Sequence, residues 1–302
     1  MAKFLREVGT VFLLVSMFFC HAVYAETVRQ VSVPPINTQA TSQQIPGKII
    51  WHDLATDNVT VAQQFYWKLF GWQFKQYGSG NDAYIYIYYK GKPVGGIVPL
   101  APKQAAENEN QWVSYLSVPN VAQATQFVKK NGGKVLVEPM KFEKQGELAV
   151  FADPEGALFG VLNSSSGDPA DGHSRIGGWA WADLMVKNPQ RAIEFYQGIA
   201  NYEVKQYPGD PQGNDFYLYT NKVARAGVTG IPTGKQAPAI LPNWLPYILV
   251  PDVHAMVAKT PTLGGKVLLK PDTQIYGGKL AVIADPTGAA LGLIQITQTA
   301  KN

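Results

Sequence analysis

Cysteine is almost absent: Cys20 is the only one in 302 residues. It lies in a segment that reads as removable, so the mature chain has no disulfide, thiolate nucleophile or cysteine-based zinc site. Histidine is scarce, with four residues, and charged side chains make up 16% of the chain. The scattered lysines and arginines, apart from Lys129-Lys130 on a predicted helix face, offer no basic groove for nucleic acid. No apolar run is long enough to span a bilayer, since the one from Val11 to Phe19 is roughly half of the ~20 residues required.

That short run has a meaning of its own. Lys3 and Arg6 precede it, and Val23-Tyr24-Ala25 follows with a small-x-small ending, the pattern of a secretory signal peptide over residues 1–25. A lipid anchor at Cys20 is disfavoured by the bulky Phe18 and Phe19 before it. Removing 25 residues from 302 leaves 277, and losing Lys3, Arg6 and Glu7 takes the formal charge from +4 to +3. An exported, cysteine-free chain suits a periplasmic or secreted location. Residues 26–47, polar and without a sustained period, read as a flexible tether.

What the rest contains is a repeat. "HDLATDNVTVAQQFYWKLFGW" (52–72) aligns on "ADLMVKNPQRAIEFYQGIANY" (182–202) at an offset of 130. "NGGKVLVEP" (131–139) and "LAVFADPEGALFG" (148–160) recur at an offset of 132 as "LGGKVLLKP" (263–271) and "LAVIADPTGAALG" (280–292). Two modules follow, residues 48–163 and 176–298, joined by a Ser/Gly/Pro-rich linker at 164–175. Within the first, Ile49–Ala55 reads as a strand. Ala62, Phe65, Tyr66, Leu69 and Phe70 then form one helical stripe, capped by Asn58 and stopped by Gly71. Asn188, Pro189 and Asn201 mark the same helix in the second copy. The strands "YIYIYY" and "FYLYT" follow, and the order restarts at Trp112 and Trp244. Each module therefore holds two β-α-β-β-β units.

This arrangement, with "FYWKLFGW", "NGGKV" and "DPEGALFGV" at these places, resembles the vicinal oxygen chelate superfamily. Its members include glyoxalase I, bleomycin-resistance proteins and extradiol dioxygenases. The tandem glyoxalase-like branch, whose modules begin W-x-D-L, is the most similar. The resemblance implies an α+β fold of four β-α-β-β-β units in two modules with curved mixed sheets. It also implies a divalent metal held by His and Glu, yet the corresponding positions here are Trp51 and Trp181, Val113 and Leu245, Gly160 and Gly292. The remaining position, near Gly95-Gly96 and Gly227, has no Glu or His close by. No metal and no cofactor are therefore expected. His52 cannot stand in, because alternate strand residues face opposite ways and put it on the far side from Trp51 and Asp53. It reads as a hydrogen-bonded strand histidine between sheet and helix, and Ala182 replaces it in the repeat.

The face left by those substitutions carries Trp51, Asp53 and Tyr115 in one module and Trp181, Asp183 and Tyr247 in the other. Aromatic walls around a carboxylate suit a small molecule with an aromatic body, a donor or a positive charge. Those six residues are the candidate ligand contacts. Asp53 and Asp183 are also the candidate general bases, if the protein is a lyase, isomerase or dioxygenase relative using such a base or a displaced metal. A structural or interaction module with filled pockets is the remaining alternative. Asp153-Pro154 and Asp285-Pro286 read as turns between strands. The sequence leaves the oligomeric state open.

Overall fold

The computed structural model describes residues 32–80, 83–100, 110–172, 174–210, 212–232 and 240–296. The expected signal peptide and His173 lie outside them. Among the described residues no helix is long and apolar enough to cross a membrane.

The first module begins with strand β1 (Ile49–Thr56) and helix α1 (Val59–Phe70), followed by β2 (Gln73–Tyr77), β3 (Tyr84–Tyr89) and β4 (Lys92–Pro99). Its second unit is β5 (Gln111–Ser117), α2 (Val121–Lys130), β6 (Lys134–Phe142), β7 (Gly146–Ala152) and β8 (Leu158–Ser164). Together the strands form one eight-stranded sheet in the order β2-β3-β4-β1-β5-β8-β7-β6. β1 and β5 pair antiparallel at the centre, and each pairs parallel with the last strand of its own unit.

The second module repeats this as β9 (Trp179–Val186), α3 (Pro189–Ala200), β10 (Glu203–Gln206), β11 (Asp215–Thr220) and β12 (Val223–Gly230). It continues with β13 (Asn243–Leu249), α4 (Val253–Thr262), β14 (Lys266–Leu269), β15 (Leu280–Ala284) and β16 (Ala290–Ile294). The sheet order is β10-β11-β12-β9-β13-β16-β15-β14, the same pattern strand for strand. The architecture is thus α+β, with four β-α-β-β-β units.

Helix boundaries follow from local chemistry. The Asn58 side chain accepts the Val61 N–H at 3.2 Å, Asn188 accepts that of Arg191 at 3.1 Å, and Pro189 supplies the first-turn φ in the repeat. Gly71 (φ 75°) and Asn201 (φ 50°) close the helices in the left-handed conformation. On their buried sides, Ala62, Phe65, Tyr66 and Leu69 of α1 pack with residues of β13, β15 and β16. The α3 face packs with residues of β5, β7 and β8. The first half of each module therefore packs on the second half of the other. Two aromatic pegs tie these contacts: Trp72 donates to the Gly177 carbonyl at 2.8 Å, and Tyr202 to that of Gly47 at 2.5 Å.

The expectation of a free tether fails for its described part. Val33, Ile36 and Ile45 are buried, the first two among Trp51, Tyr84, Tyr86 and Tyr115. Backbone and side-chain bonds stitch this strap to the linker: Thr41 N to Ser166 O at 2.8 Å, Asp168 N to Gln43 O at 2.8 Å, and Asn37 Nδ2 to Gly167 O at 2.7 Å. Widely spaced apolar residues that fill separate slots leave no period in the sequence, and so read as linker. The described part of the inter-module linker is tied down likewise. Asp168 accepts from Ile45 N and Ser117 Oγ, while Asp171 pairs with Lys48 at 2.8 Å and Arg225 at 2.6 Å.

Candidate functional site

Each sheet has one face packed against the other module and one inner face, and the inner faces carry the predicted residues. In the first module Trp51 pairs across the ladder with Tyr115, and Tyr115 with Gly160; Asp53 pairs with Gly96. In the second, Trp181 pairs with Tyr247, Tyr247 with Gly292, and Asp183 with Gly227. The structure thus brings each predicted trio together, and keeps the two trios apart on separate sheets.

The indole and carboxylate bond to each other in both copies. Trp51 Nε1 donates to Asp53 Oδ1 at 2.9 Å, and Trp181 Nε1 to Asp183 Oδ1 at 2.7 Å. Glycine at 96 and 227 makes this possible: a Cβ there would lie 2.5 Å and 2.1 Å from the respective Asp Oδ1. At 160 and 292, where the resemblance placed a glutamate, an added Cβ would lie 2.2 Å and 2.1 Å from the rings of Tyr115 and Tyr247. Tyrosine rings therefore occupy the volume that a metal-binding carboxylate would need. Indole nitrogen has no lone pair for coordination, and the donor set is wrong for a hard or borderline divalent ion. The residues present do not fit the metal of the fold family. Among the described residues no cluster of three or more His, Cys, Asp or Glu side chains could hold one.

Electrostatics at the two centres start alike. Burial pushes the Asp53 carboxyl up to about 6 against the lowering effect of donors on Tyr84, Tyr115 and Trp51. Burial pushes Asp183 up to about 6 as well; Trp181 and Tyr247 pull it down, and Asp215 raises it further. Carboxyls at such values change protonation close to neutrality, which an exposed aspartate does not.

The neighbours differ. Tyr84, which sequence reasoning missed, donates to Asp53 Oδ1 at 2.5 Å and accepts from Trp51 Nε1 at 3.0 Å. Its counterpart at an offset of 131 is Asp215, also missed, 5% exposed and pushed up to about 6 by burial. Its Oδ2 has no hydrogen-bond partner among the described residues, and the Tyr247 hydroxyl, close enough to Asp183 to lower it, has none of good geometry among them. Carrying the repeat across "YIYIYY" and "DFYLYT" would have exposed this pair. The first inner face also holds Gln145, buried with Nε2 unpartnered, against Asp53, Met140 and Phe142. The cavity they line encloses about 10 Å³, close to the room one ordered water needs.

His52 lies on the other face, as the alternation requires, but between the modules rather than between sheet and helix. Its ring lies 4.0 Å from that of Trp179 at a tilt of 32°, its Nδ1 lies 3.1 Å from Ser114 Oγ, and burial pushes it down to about 3. In the repeat Ala182 faces Pro246 on the paired strand, so the polar contact is gone. The Asp-Pro turns are turns, as expected, and they also bind across the interface. Asp153 accepts from Glu155 N, Ala157 N and the Tyr196 hydroxyl at 2.8, 2.9 and 3.2 Å.

Comparison with known proteins agrees with this geometry. The family described as Glyoxalase/Bleomycin resistance protein/Dioxygenase superfamily matches residues 48–161. CFP32 of Mycobacterium tuberculosis, provisionally named a glyoxylase, is 26% identical over 247 residues, spanning 81% of this chain and 93% of that protein. The anthracycline biosynthesis protein DnrV of Streptomyces peucetius is 26% identical over 269 residues, 84% of this chain and 94% of its own. Among solved structures, the Mn(II)-bound glyoxalase of Novosphingobium aromaticivorans superposes with a TM-score of 0.56 at 15% identity, covering 83% of each chain. A 2,2',3-trihydroxybiphenyl 1,2-dioxygenase from Sphingomonas wittichii gives 0.54 at 14%, covering 83% of this chain and 91% of that one. The family is thus matched over the first module, and the second module repeats its strand order, so that both have the fold of the Glyoxalase/Bleomycin resistance protein/Dioxygenase superfamily.

Proposed function

We propose that this is an exported, metal-independent small-molecule binding protein that uses the inner faces of its modules. One observation carries the reading: polar atoms on those faces, Gln145 Nε2, Asp215 Oδ2 and the Tyr247 hydroxyl, are buried without a well-formed hydrogen bond among the described residues. Such groups cost about 1–3 kcal/mol each, and a ligand that bonds to them recovers that cost. Aromatic walls favour a ligand with a flat or apolar body. The names of two relatives point to anthracyclines, which are flat fused-ring compounds. Thermal-shift and calorimetric titration of the mature chain with an anthracycline and with simple aromatic compounds tests the reading. Binding near one equivalent supports it. No binding at saturating concentrations favours a scaffold with filled pockets. Bound stoichiometric divalent metal that resists dialysis overturns metal independence. Cleavage after Ala25, read by N-terminal sequencing of the periplasmic fraction, tests export.

A second reading rests on the raised carboxyls. Asp53 and Asp183, each at about 6 within an aromatic site, have the protonation behaviour of a general base working near neutral pH. Turnover of any ligand found above, lost in Asp53→Asn or Asp183→Asn with binding retained, would establish it.

A further inference from the structure

The two inner faces are built from the same repeat but carry different charge. In the first, Asp53 is the carboxylate, and Tyr84 and Trp51 both donate to one of its oxygens. In the second, the tyrosine is replaced by Asp215. β11 pairs with β12 so that Tyr217 lies opposite Gly227 and Asp215 opposite Thr229, while Gly227 lies opposite Asp183. Two residues apart along β11, Asp215 and Tyr217 share a face, so Asp215 stands on the Asp183 side of the sheet. The two carboxyls are close enough that Asp215 raises Asp183. No salt bridge joins either to a Lys or Arg among the described residues: Arg225 is held by Asp171 and Lys205 by Glu203.

Buried carboxyls that repel one another, with no Lys or Arg bridged to either among the described residues, favour a positive charge from a ligand. The walls are suited to supply the rest of a cation site. Trp181 meets Tyr217 edge to face with ring centres 5.9 Å apart, and Tyr207 meets Tyr217 in the same way at 5.5 Å. The Tyr247 hydroxyl, 1% exposed and without a well-formed hydrogen bond among the described residues, adds a polar atom beside Asp183. Trp181 is partly exposed and Tyr276 is 56% exposed, which leaves ring surface for a ligand to cover. Asp210 is not part of this set, since its carboxylate is engaged by the backbone N–H groups of Gln212, Asn214 and Asp215.

We propose that the inner face of the second module binds an organic cation, an amine or quaternary ammonium group on an aromatic body, between Asp183, Asp215 and the rings of Trp181 and Tyr217. The first module, with one carboxylate and Tyr84 donating to it, does not select for charge. This deepens the small-molecule reading above and rests on it. Aromatic faces and carboxylates both attract an ammonium group, and they act together where water is excluded.

The test uses the mature full chain and isothermal titration with phenethylamine, phenethyltrimethylammonium and 2-phenylethanol, which share one ring and differ in charge. Both cations should bind at least roughly tenfold more tightly than the alcohol. Asp215→Asn should remove most of that difference and leave the alcohol unchanged, while Lys129→Gln, at the exposed end of α2, should leave all three unchanged. Equal binding of cations and alcohol overturns the cation site but keeps the small-molecule reading. So does a cation preference that survives Asp215→Asn. Failure of all three probes, and of an anthracycline, removes the small-molecule reading itself. If Asp215→Asn does not fold, the wild-type comparison between cations and alcohol still decides, with Trp181→Phe as the second variant.

Discussion

The inner faces of the two modules share a skeleton and differ in what closes it. Each keeps an indole bonded to an aspartate two residues on, a glycine beneath that carboxylate, and a tyrosine ring over the glycine where a ligating glutamate would stand. In the first module the remaining space is taken by Tyr84, by Val33 and Ile36 of the N-terminal strap, and by the nine-residue strand β6 with Met140 and Phe142. In the second, Asp215 replaces Tyr84, β14 has only four residues, and Tyr276 follows on an exposed turn with φ 52°. The two copies thus share the metal-excluding core of the site and differ at its rim.

The interface between modules should show the opposite behaviour, with near equality of the two copies. Trp72 is fully buried among Tyr66, Phe70, Trp112 and Trp179, and Tyr202 is its counterpart. Trp72→Ala should cost ~3–5 kcal/mol in denaturant unfolding, and Tyr202→Ala nearly as much. A cost below about 1 kcal/mol for either would mean that the two halves of the interface are not equivalent supports.

A smaller effect, of about 3 kcal/mol, separates the carboxyls from ordinary ones. Asp53 and Asp183 titrate near 6 in the folded chain and near 4 unfolded. Between these values the folded state binds more protons. The stabilisation is complete below pH 4 and is lost as pH rises through 6, leaving each ionised carboxylate a net cost above it. Asp53→Asn and Asp183→Asn should therefore flatten the stability profile between pH 4 and 6 and raise stability at pH 8. Asp183→Asn has a further consequence, because it also removes the charge that repels Asp215. His52 works in the other direction: held at about 3 when folded, it stabilises above its ordinary 6.5 and costs stability as pH falls. His52→Gln should expose the carboxylate slope more fully, and chemical denaturation across pH reads all of these variants.

How much of this was legible before the structure depended on whether a residue repeats. The β-α-β-β-β order, the helix caps at Asn58 and Asn188, and the pairing of Trp51 with Asp53 all recur at fixed offsets, and period-2 alternation gives their faces. Tyr84 and Asp215 were missed because they are the positions at which the copies differ, so that matching by similarity passes over them. The strap was missed for another reason. Val33 and Ile36 contribute burial through tertiary slots that have no period, and a Pro- and Gln-containing stretch with a few scattered apolar residues looks like tether until its target is known. Removing their apolar surface, as in Val33→Ser with Ile36→Ser, should cost ~2–3 kcal/mol and open the first inner face. If stability is unchanged while a neutral aromatic probe gains affinity, the strap is a plug and not a structural support.

The smallest expected difference lies at the helix starts, where the copies again diverge at one residue. Glu155, in the Asp-Pro turn of the first module, accepts the backbone N–H groups of Lys187 and Asn188 at 2.7 and 2.8 Å, just before α3. The same turn in the second module has Thr287, whose side chain bonds instead to Asp285 of its own turn at 2.6 Å. There the gap before α1 is bridged by Asn110, which donates to the Thr287 carbonyl at 2.9 Å and accepts from Asp57 N at 2.8 Å. A carboxylate at a helix start is favoured by the backbone dipoles by about 0.3–1 kcal/mol where solvent screens it. Glu155→Gln keeps one acceptor and loses the charge, so it should cost about 0.5 kcal/mol, and the loss should shrink as salt is added. Asn110→Ala removes hydrogen bonds without removing a charge, and its cost of about 1 kcal/mol should be insensitive to salt. Urea melts at low and high ionic strength separate the two: equal salt dependence would mean that the charge on Glu155 contributes nothing, and that the modules are joined by shape and hydrogen bonding alone.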